Sequence, residues 1–235
     1  MPAVAAASRC NVPANANPLN PCPVNAMNSQ SLAIDHLMWG GADLDSAIDI
    51  LASHTGCRAA AGGSHPGNGT RNALLGLGGE RYLEVIAPDP TQSAGAGLAA
   101  ELAAMQQPAL RTWAVRSGSL EAVAAQLNAH GISTGSPRAM SRRAIDGTLL
   151  QWRLLFAQDR SLGGVLPFFI DWGNSAHPTT TLGRECRLDA LHITLPAGHV
   201  LAGWFASIDG VRVETGAQPS LQALLVTPRG RVDLD

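Results

Sequence analysis

Four side chains are of types that do chemistry when they are brought together: His36 in IDHLMWGG, His65 in GGSHPGNGT, Glu84 in YLEVIAPDP and Asp171 in FFIDWGNSAHP. Imidazoles and carboxylates converging from facing strands can hold a divalent ion and leave positions open for a substrate oxygen. The same groups can instead form a buried hydrogen-bonded pair, or a carboxylate can bind an arginine and serve only the scaffold. A histidine such as His65, whose ordinary pKa lies near neutrality, is also suited to general acid or base work. A substrate would need orienting groups as well. Asn72 shares a strand face with Thr70, while Arg71 falls with Ala73 and Leu75 and can reach only the strand's mouth. In LLQWRLLF, Gln151 and Arg153 share the face opposite Leu150, Trp152, Leu154 and Phe156. A cavity-facing Arg153 would hold a carboxylate or phosphate by a two-pronged contact, and otherwise would pair with Glu84 or Asp171 and disable a metal site.

The elements that must position these residues follow from periodicity. From Leu32 the chain alternates as a strand, with Ala33, Asp35, Leu37 and Trp39 on one face and Ile34, His36 and Met38 on the other. Asp43 suits an N-cap, Leu44, Ala47, Ile48 and Leu51 make a helical stripe, and Gly56 ends it. A short strand around Cys57 and a glycine-rich loop from Ala61 to Gly69 are expected next. Two strands, Thr70 to Leu77 and Arg81 to Ala87, then turn at Gly78-Gly79. Tyr82, Glu84 and Ile86 share one face of the last, so His36 and Glu84 are expected to enter one cavity.

This βαβββ pattern recurs. RTWAVR opens a second copy with Ser119 as N-cap, Leu120, Val123, Ala124 and Leu127 as stripe, and Gly131 as stop. Strands are expected over 132–136, 148–157 and 166–171, with a turn at Asp146-Gly147. LDALHITL opens a third, shorter copy with a helix over 200–207 and strands over 211–214, 221–227 and 231–234. Gly56, Gly131 and Gly210 place the period at roughly 75 to 80 residues. In that register His36, Trp113 and His192 match in the first strands, and Glu84, Asp171 and Asp233 in the last. The fold class is therefore α+β: two paired modules over 31–90 and 108–175, within one unit over 31–178, and a third module over 185–235.

Composition removes several classes of function. Hydrophobic residues make up 46% and charged residues 14% of 235, with a net charge of −2, so there is no basic footprint for nucleic acid. No apolar run has the length of a membrane span. The glycine-rich segments follow no strand-to-helix crossover, so no nucleotide cofactor is expected. Residues 1–30 read as an Ala-, Asn- and Pro-rich tail without a signal-peptide pattern, and Met27 is a candidate true start. Cys10, Cys22, Cys57 and Cys186 lack metal-site spacing and read as reduced thiols of a cytoplasmic protein.

At IDHLMWGG, HPGNGTRN, YLEVIAPDP and FFIDWGNSAHP the chain resembles the glyoxalase-like branch of the vicinal oxygen chelate superfamily, from about Leu32 to the C-terminus. The resemblance implies two βαβββ modules side by side, curling an eight-stranded mixed sheet into a cup. It implies metal ligands on the first and last strands of each module: His36 and Glu84 in the first, and Asp171 in the last strand of the second, where Trp113 replaces the other expected ligand. Zinc, iron, nickel or manganese would suit such a set. The implied activity is that of a metal-dependent lyase, isomerase or dioxygenase on a small oxygenated metabolite, with His65 or Glu84 moving a proton. The alternative is a non-catalytic, drug-sequestering module of the same fold, for which Trp113 would supply an aromatic floor. The third module is a candidate homodimer interface.

Overall fold

The computed structural model describes residues 32–93, 97–143, 147–159 and 161–235. The expected tail over 1–30, with Cys10, Cys22 and Met27, and the Asp146 half of the expected turn lie outside the described residues.

The first module contains β1 (Ala33–Gly40), α1 (Leu44–Thr55), β2 (Ala60–His65), β3 (Thr70–Gly76) and β4 (Tyr82–Pro88). After a short helix α2 (Leu98–Ala103), the second contains β5 (Ala109–Arg116), α3 (Leu120–Ala129), β6 (Arg138–Arg143), β7 (Leu149–Phe156) and β8 (Phe168–Asp171). The eight strands make one sheet in the order β2-β3-β4-β1-β5-β8-β7-β6, with β1 and β5 antiparallel at its centre. In each module the first strand pairs parallel with the last. This is the mixed, strongly curved sheet of the vicinal oxygen chelate fold.

Local chemistry accounts for the helices. The Asp43 carboxylate accepts from Ser46 N at 2.8 Å, Leu44, Ala47, Ile48 and Leu51 are buried, and Gly56 closes α1 at φ 77°. Ser119 caps α3 through Ala122 N at 3.2 Å, with Leu120, Val123 and Leu127 buried. Both stripes face the outer side of the eight-stranded sheet. Its inner side carries a separate apolar set that includes Leu74, Tyr82, Ala114, Trp152, Ile170 and Trp172.

Two expectations about local structure are corrected. The glycine-rich stretch over 61–65 is not a loop but part of β2, paired with β3. Its glycines admit close neighbours: a Cβ on Gly62 would lie 2.1 Å from Asn72 Oδ1, and one on Gly63 3.2 Å from Arg143 O. In the second module the strand after α3 is not at 132–136 but at β6, whose sequence RAMSRR has no apolar alternation to mark it. Only an isolated bridge, Thr134 to Ala157, lies in the expected stretch.

The remaining elements are β9 (Arg187–Leu195), α4 (Ala202–Ala206), β10 (Val211–Thr215), β11 (Ser220–Thr227) and β12 (Gly230–Leu234). Their sheet order, β10-β9-β11-β12, differs from that of the first two modules: here the strand after the helix lies beside the first. The helix that precedes this strand is also shorter, 5 residues in α4 against 12 in α1. This four-stranded sheet joins the main core. Phe205 meets Trp113 edge-on at 5.6 Å, Trp204 stacks on Phe169, Leu110 N donates to Asp235 O at 2.8 Å, and Arg81 pairs with Asp209 at 2.6 Å. No helix among the described residues is long and apolar enough to cross a membrane.

Candidate active site

The curved sheet encloses a cavity of about 1150 Å³, with α2 closing one end through Leu98 and Glu101. The alternation read from the sequence places His36, Met38, Thr70, Asn72, Tyr82, Glu84 and Ile86 on its wall, and His65 joins them from β2. His36 and Glu84 are 4% and 8% exposed, and His36 Nε2 lies 3.8 Å from Glu84 Oε2. The Asn72 amide nitrogen donates to Glu84 Oε1 at 2.6 Å and lies 3.2 Å from His65 Nε2, while His65 Nδ1 lies 2.9 Å from Thr70 Oγ1. Burial depresses the His65 pKa against the opposing pull of Glu84, so the ring is neutral. The tautomer that satisfies both contacts donates from Nδ1 to Thr70 and accepts from Asn72 at Nε2. His65 thus holds Asn72, and Asn72 holds Glu84.

Behind His36 stands a group that alternation assigned to the helix face. A register shift between Ile34 and His36 bulges β1 and turns Asp35 inward. Asp35 is fully buried and accepts from His36 Nδ1 at 2.7 Å, Trp172 Nε1 at 3.0 Å and His177 Nε2 at 3.1 Å. Burial raises its pKa, but the hydrogen bonds from His177 and His36, with their charges, outweigh that and hold the carboxyl below the usual range. His177 Nδ1 is occupied by Thr179, so its Nε2–H faces Asp35. His36 therefore directs Nε2 into the cavity. Tyr82 stacks on its ring at 4.6 Å, and burial lifts the Tyr82 pKa well above normal, so the phenol keeps its proton. His177, in the segment FFIDWGNSAHP, belongs to this network. A proline-flanked histidine after DWGN carries no signal that would have found it, and the bulge carries none either.

Five of the named candidates lie elsewhere. Trp113 is fully buried on the outer side, donating to Val165 O at 2.8 Å. The β1–β5 register explains it: Leu37 pairs with Trp113, whereas His36 pairs with Ala114 and Met38 with Thr112. Asp171 lies directly opposite Arg153, and the two form an ion pair at 2.7 Å that Glu121 of α3 extends on the helix side. Gln151 is exposed and bonded through its backbone to Ser175. Arg71 points to Asp45 of α1 at 3.9 Å. The triad of His36, Glu84 and Asp171 is thus not assembled, and the Arg153–Asp171 pairing that would disable it is the one found. The inward positions of the second module, Thr112, Ala114, Phe168 and Ile170, carry no metal-ligating side chain. Among the described residues no three His, Cys, Asp or Glu side chains are placed to hold an ion. The side chains present do not fit the metal cradle expected of the fold.

What the second module contributes instead is an aromatic wall of Trp152, Phe156, Phe168 and Trp172, and two arginines, Arg138 and Arg142. Arg142 is 6% exposed, and its guanidinium donates to Gly62 O at 3.0 Å, across the gap between β6 and β2, the two edges of the sheet.

A family model described as a glyoxalase-like domain matches residues 34–208. No curated protein matches the chain. Among solved structures, a hypothetical protein from Staphylococcus aureus is similar at TM-score 0.60 and 16% identity, over 80% of this chain and 88% of that one. Methylmalonyl-CoA epimerase from Mycobacterium tuberculosis is similar at TM-score 0.46 and 25% identity, over 63% of this chain and 94% of that one. A Streptomyces coelicolor methylmalonyl-CoA epimerase gives TM-score 0.45 and 22% identity, over 63% and 100%. The first likeness speaks for the fold; the epimerase likenesses are too distant to carry a reaction or a substrate.

Proposed function

We propose a function from one premise: the chain belongs to the glyoxalase-like domain family. It is an enzyme that moves a proton on a small oxygenated molecule held in the cavity. His36 Nε2 takes the proton, Asp35 and Glu84, whose Oε2 lies 3.8 Å from Nε2, stabilise the imidazolium that forms, and the imidazolium returns the proton to the resulting enolate. The observation that carries this reading is the buried Asp35–His36 contact of 2.7 Å, which sets the imidazole with Nε2 toward the cavity and toward Glu84. No step passes through a metal ion; the divalent metal implied by the resemblance would need a ligand set that the described residues do not assemble. The reaction class is isomerase- or lyase-like proton abstraction beside a carbonyl, in a protein of cytoplasmic location. The four-stranded sheet remains the proposed surface for a homodimer.

The test is deuterium exchange in D2O, followed by proton NMR over a panel of 2-oxo and 2-hydroxy compounds. Wild-type protein is expected to exchange the hydrogen beside the carbonyl of at least one, and His36→Ala to lose that exchange. Exchange that survives His36→Ala overturns the reading. The aromatic wall favours a second reading, sequestration of a flat ligand without chemistry. Tight binding of a flat organic molecule with no exchange of any compound would select it.

A further inference from the structure

Arg142 presents a charge imbalance that the proton-transfer site does not use. The residue is 6% exposed and lines the cavity, yet among the described residues no carboxylate pairs with its guanidinium. The elements packed against it offer no counter-charge. On β7 its cross-strand partner is Leu150, and the inward residues before it, Met140 and Arg138, face Trp152 and Leu154. Across the gap stand Gly62 and Gly63, which present only backbone, and the carbonyl of Gly62 takes one N–H. A buried cation without an anion is costly, and a guanidinium with donors to spare at a cavity wall is matched by a carboxylate. Arg138, four residues earlier on the same strand face, stands exposed at the cavity wall and also lacks a carboxylate partner among the described residues.

We propose that Arg142 is the anion-binding residue of the cavity, and that the ligand is an amphiphilic carboxylate whose head pairs with Arg142 while an apolar body lies against Trp152. Arg138 draws the anion toward the cavity. This deepens the reading above and rests on the same cavity being the substrate site, but it makes no use of His36 chemistry. Arg153, which sequence alternation suggested for this task, is on the other face of the sheet.

The probe is 3-phenylpropionate, titrated against the tryptophan fluorescence of the full chain and compared with its methyl ester. The acid is expected to saturate the signal of the wild-type protein, and the ester to bind about ten- to a hundredfold more weakly. Arg142→Met is expected to lose affinity for the acid by a similar factor and to bind acid and ester alike, while Arg153→Gln, on the other face of the sheet, keeps wild-type affinity for the acid. Arg142 also bridges two strands, so circular dichroism accompanies each variant. Where Arg142→Met does not fold, the acid–ester comparison in the wild type decides. Equal binding of acid and ester, no binding of the acid by wild type up to about 10 mM, or an Arg142→Met protein with undiminished preference for the acid overturns the proposal. Loss of deuterium exchange in all compounds, with the acid–ester preference intact, would remove the proton-transfer reading and leave this one standing.

Discussion

The inner faces of the two paired modules have the same strand plan and opposite chemistry. The first lines the cavity with His36, His65, Asn72 and Glu84; at the corresponding strands the second places Thr112, Ala114, Phe168 and Ile170, with arginines and tryptophans farther out. The outer faces are alike: each is apolar beneath its helix and carries ion pairs to it, Arg71–Asp45 in the first module and Arg153–Glu121 in the second. Strand pairing and helix capping are thus conserved between halves that divide the labour: one side handles protons, the other provides a wall and a cation. A symmetrical metal cage needs ligands from both halves, and among the described residues lining the cavity the His and Glu side chains at inward strand positions come from the first half.

The sharpest way to break this asymmetry is to remove a first-module carboxylate. Glu84→Gln is expected to slow deuterium exchange about 10²- to 10⁴-fold, whereas Thr112→Ala, at an inward position of β5, leaves the rate within a few-fold; equal losses in the two variants would mean that the halves share the chemistry. Next comes Trp113→Ala. A fully buried indole with a hydrogen bond to Val165 costs about 3–5 kcal/mol when removed, read by urea denaturation, and the affinity for 3-phenylpropionate of the protein that folds should be unchanged.

The pH dependence of stability is assigned to the first module as well. The Asp35 carboxyl is held below its ordinary value in the folded chain, so its contribution is complete above the ordinary range of about 4 and is lost as pH falls through the folded value. The His65 pKa is also depressed, so the unfolded chain binds a proton first, and stability falls as pH drops from about 6.5 toward the folded value. Urea midpoints measured from pH 8 to 3 should show both declines. Asp35→Asn should flatten the lower one and His65→Gln the upper, and a wild-type midpoint constant over that range would contradict both. Smaller again is Ser119→Ala, expected to cost about 1 kcal/mol through the lost cap on α3. Least of all is Arg153→Gln, whose partly exposed pairs should be worth less than about 1 kcal/mol and leave exchange untouched.

The inward set of the first module was legible because period-2 alternation holds through β3 and β4 and through the part of β1 that carries His36 and Met38. It failed at Asp35, where one bulge reverses the side-chain direction and leaves no compositional mark. Trp113 was misread for a different reason. Aligning the modules by their glycines put it beside His36, but hydrogen-bond register, which sequence does not display, pairs it with Leu37. β6 was invisible because a strand at a sheet edge with one cavity-facing row needs no apolar alternation, and RAMSRR shows none. The order of the last four strands was missed because the same succession of strand, helix and three strands fits either pairing order, and pairing order leaves no mark in the periodicity.

The hydrogen bond from Arg142 to Gly62 joins the first and last strands of the eight-stranded sheet. Open sheets present two rows of unpaired amides and carbonyls to other molecules, and these are the templates on which chains aggregate. Here each rim shields the other, with glycines on one side thin enough to let the arginine across. The cavity and the protection against edge-to-edge association are therefore products of one seam, and a side chain at Gly63, where a Cβ would lie 3.2 Å from Arg143 O and 3.6 Å from Arg142 Nη1, would open both to solvent and to neighbouring chains.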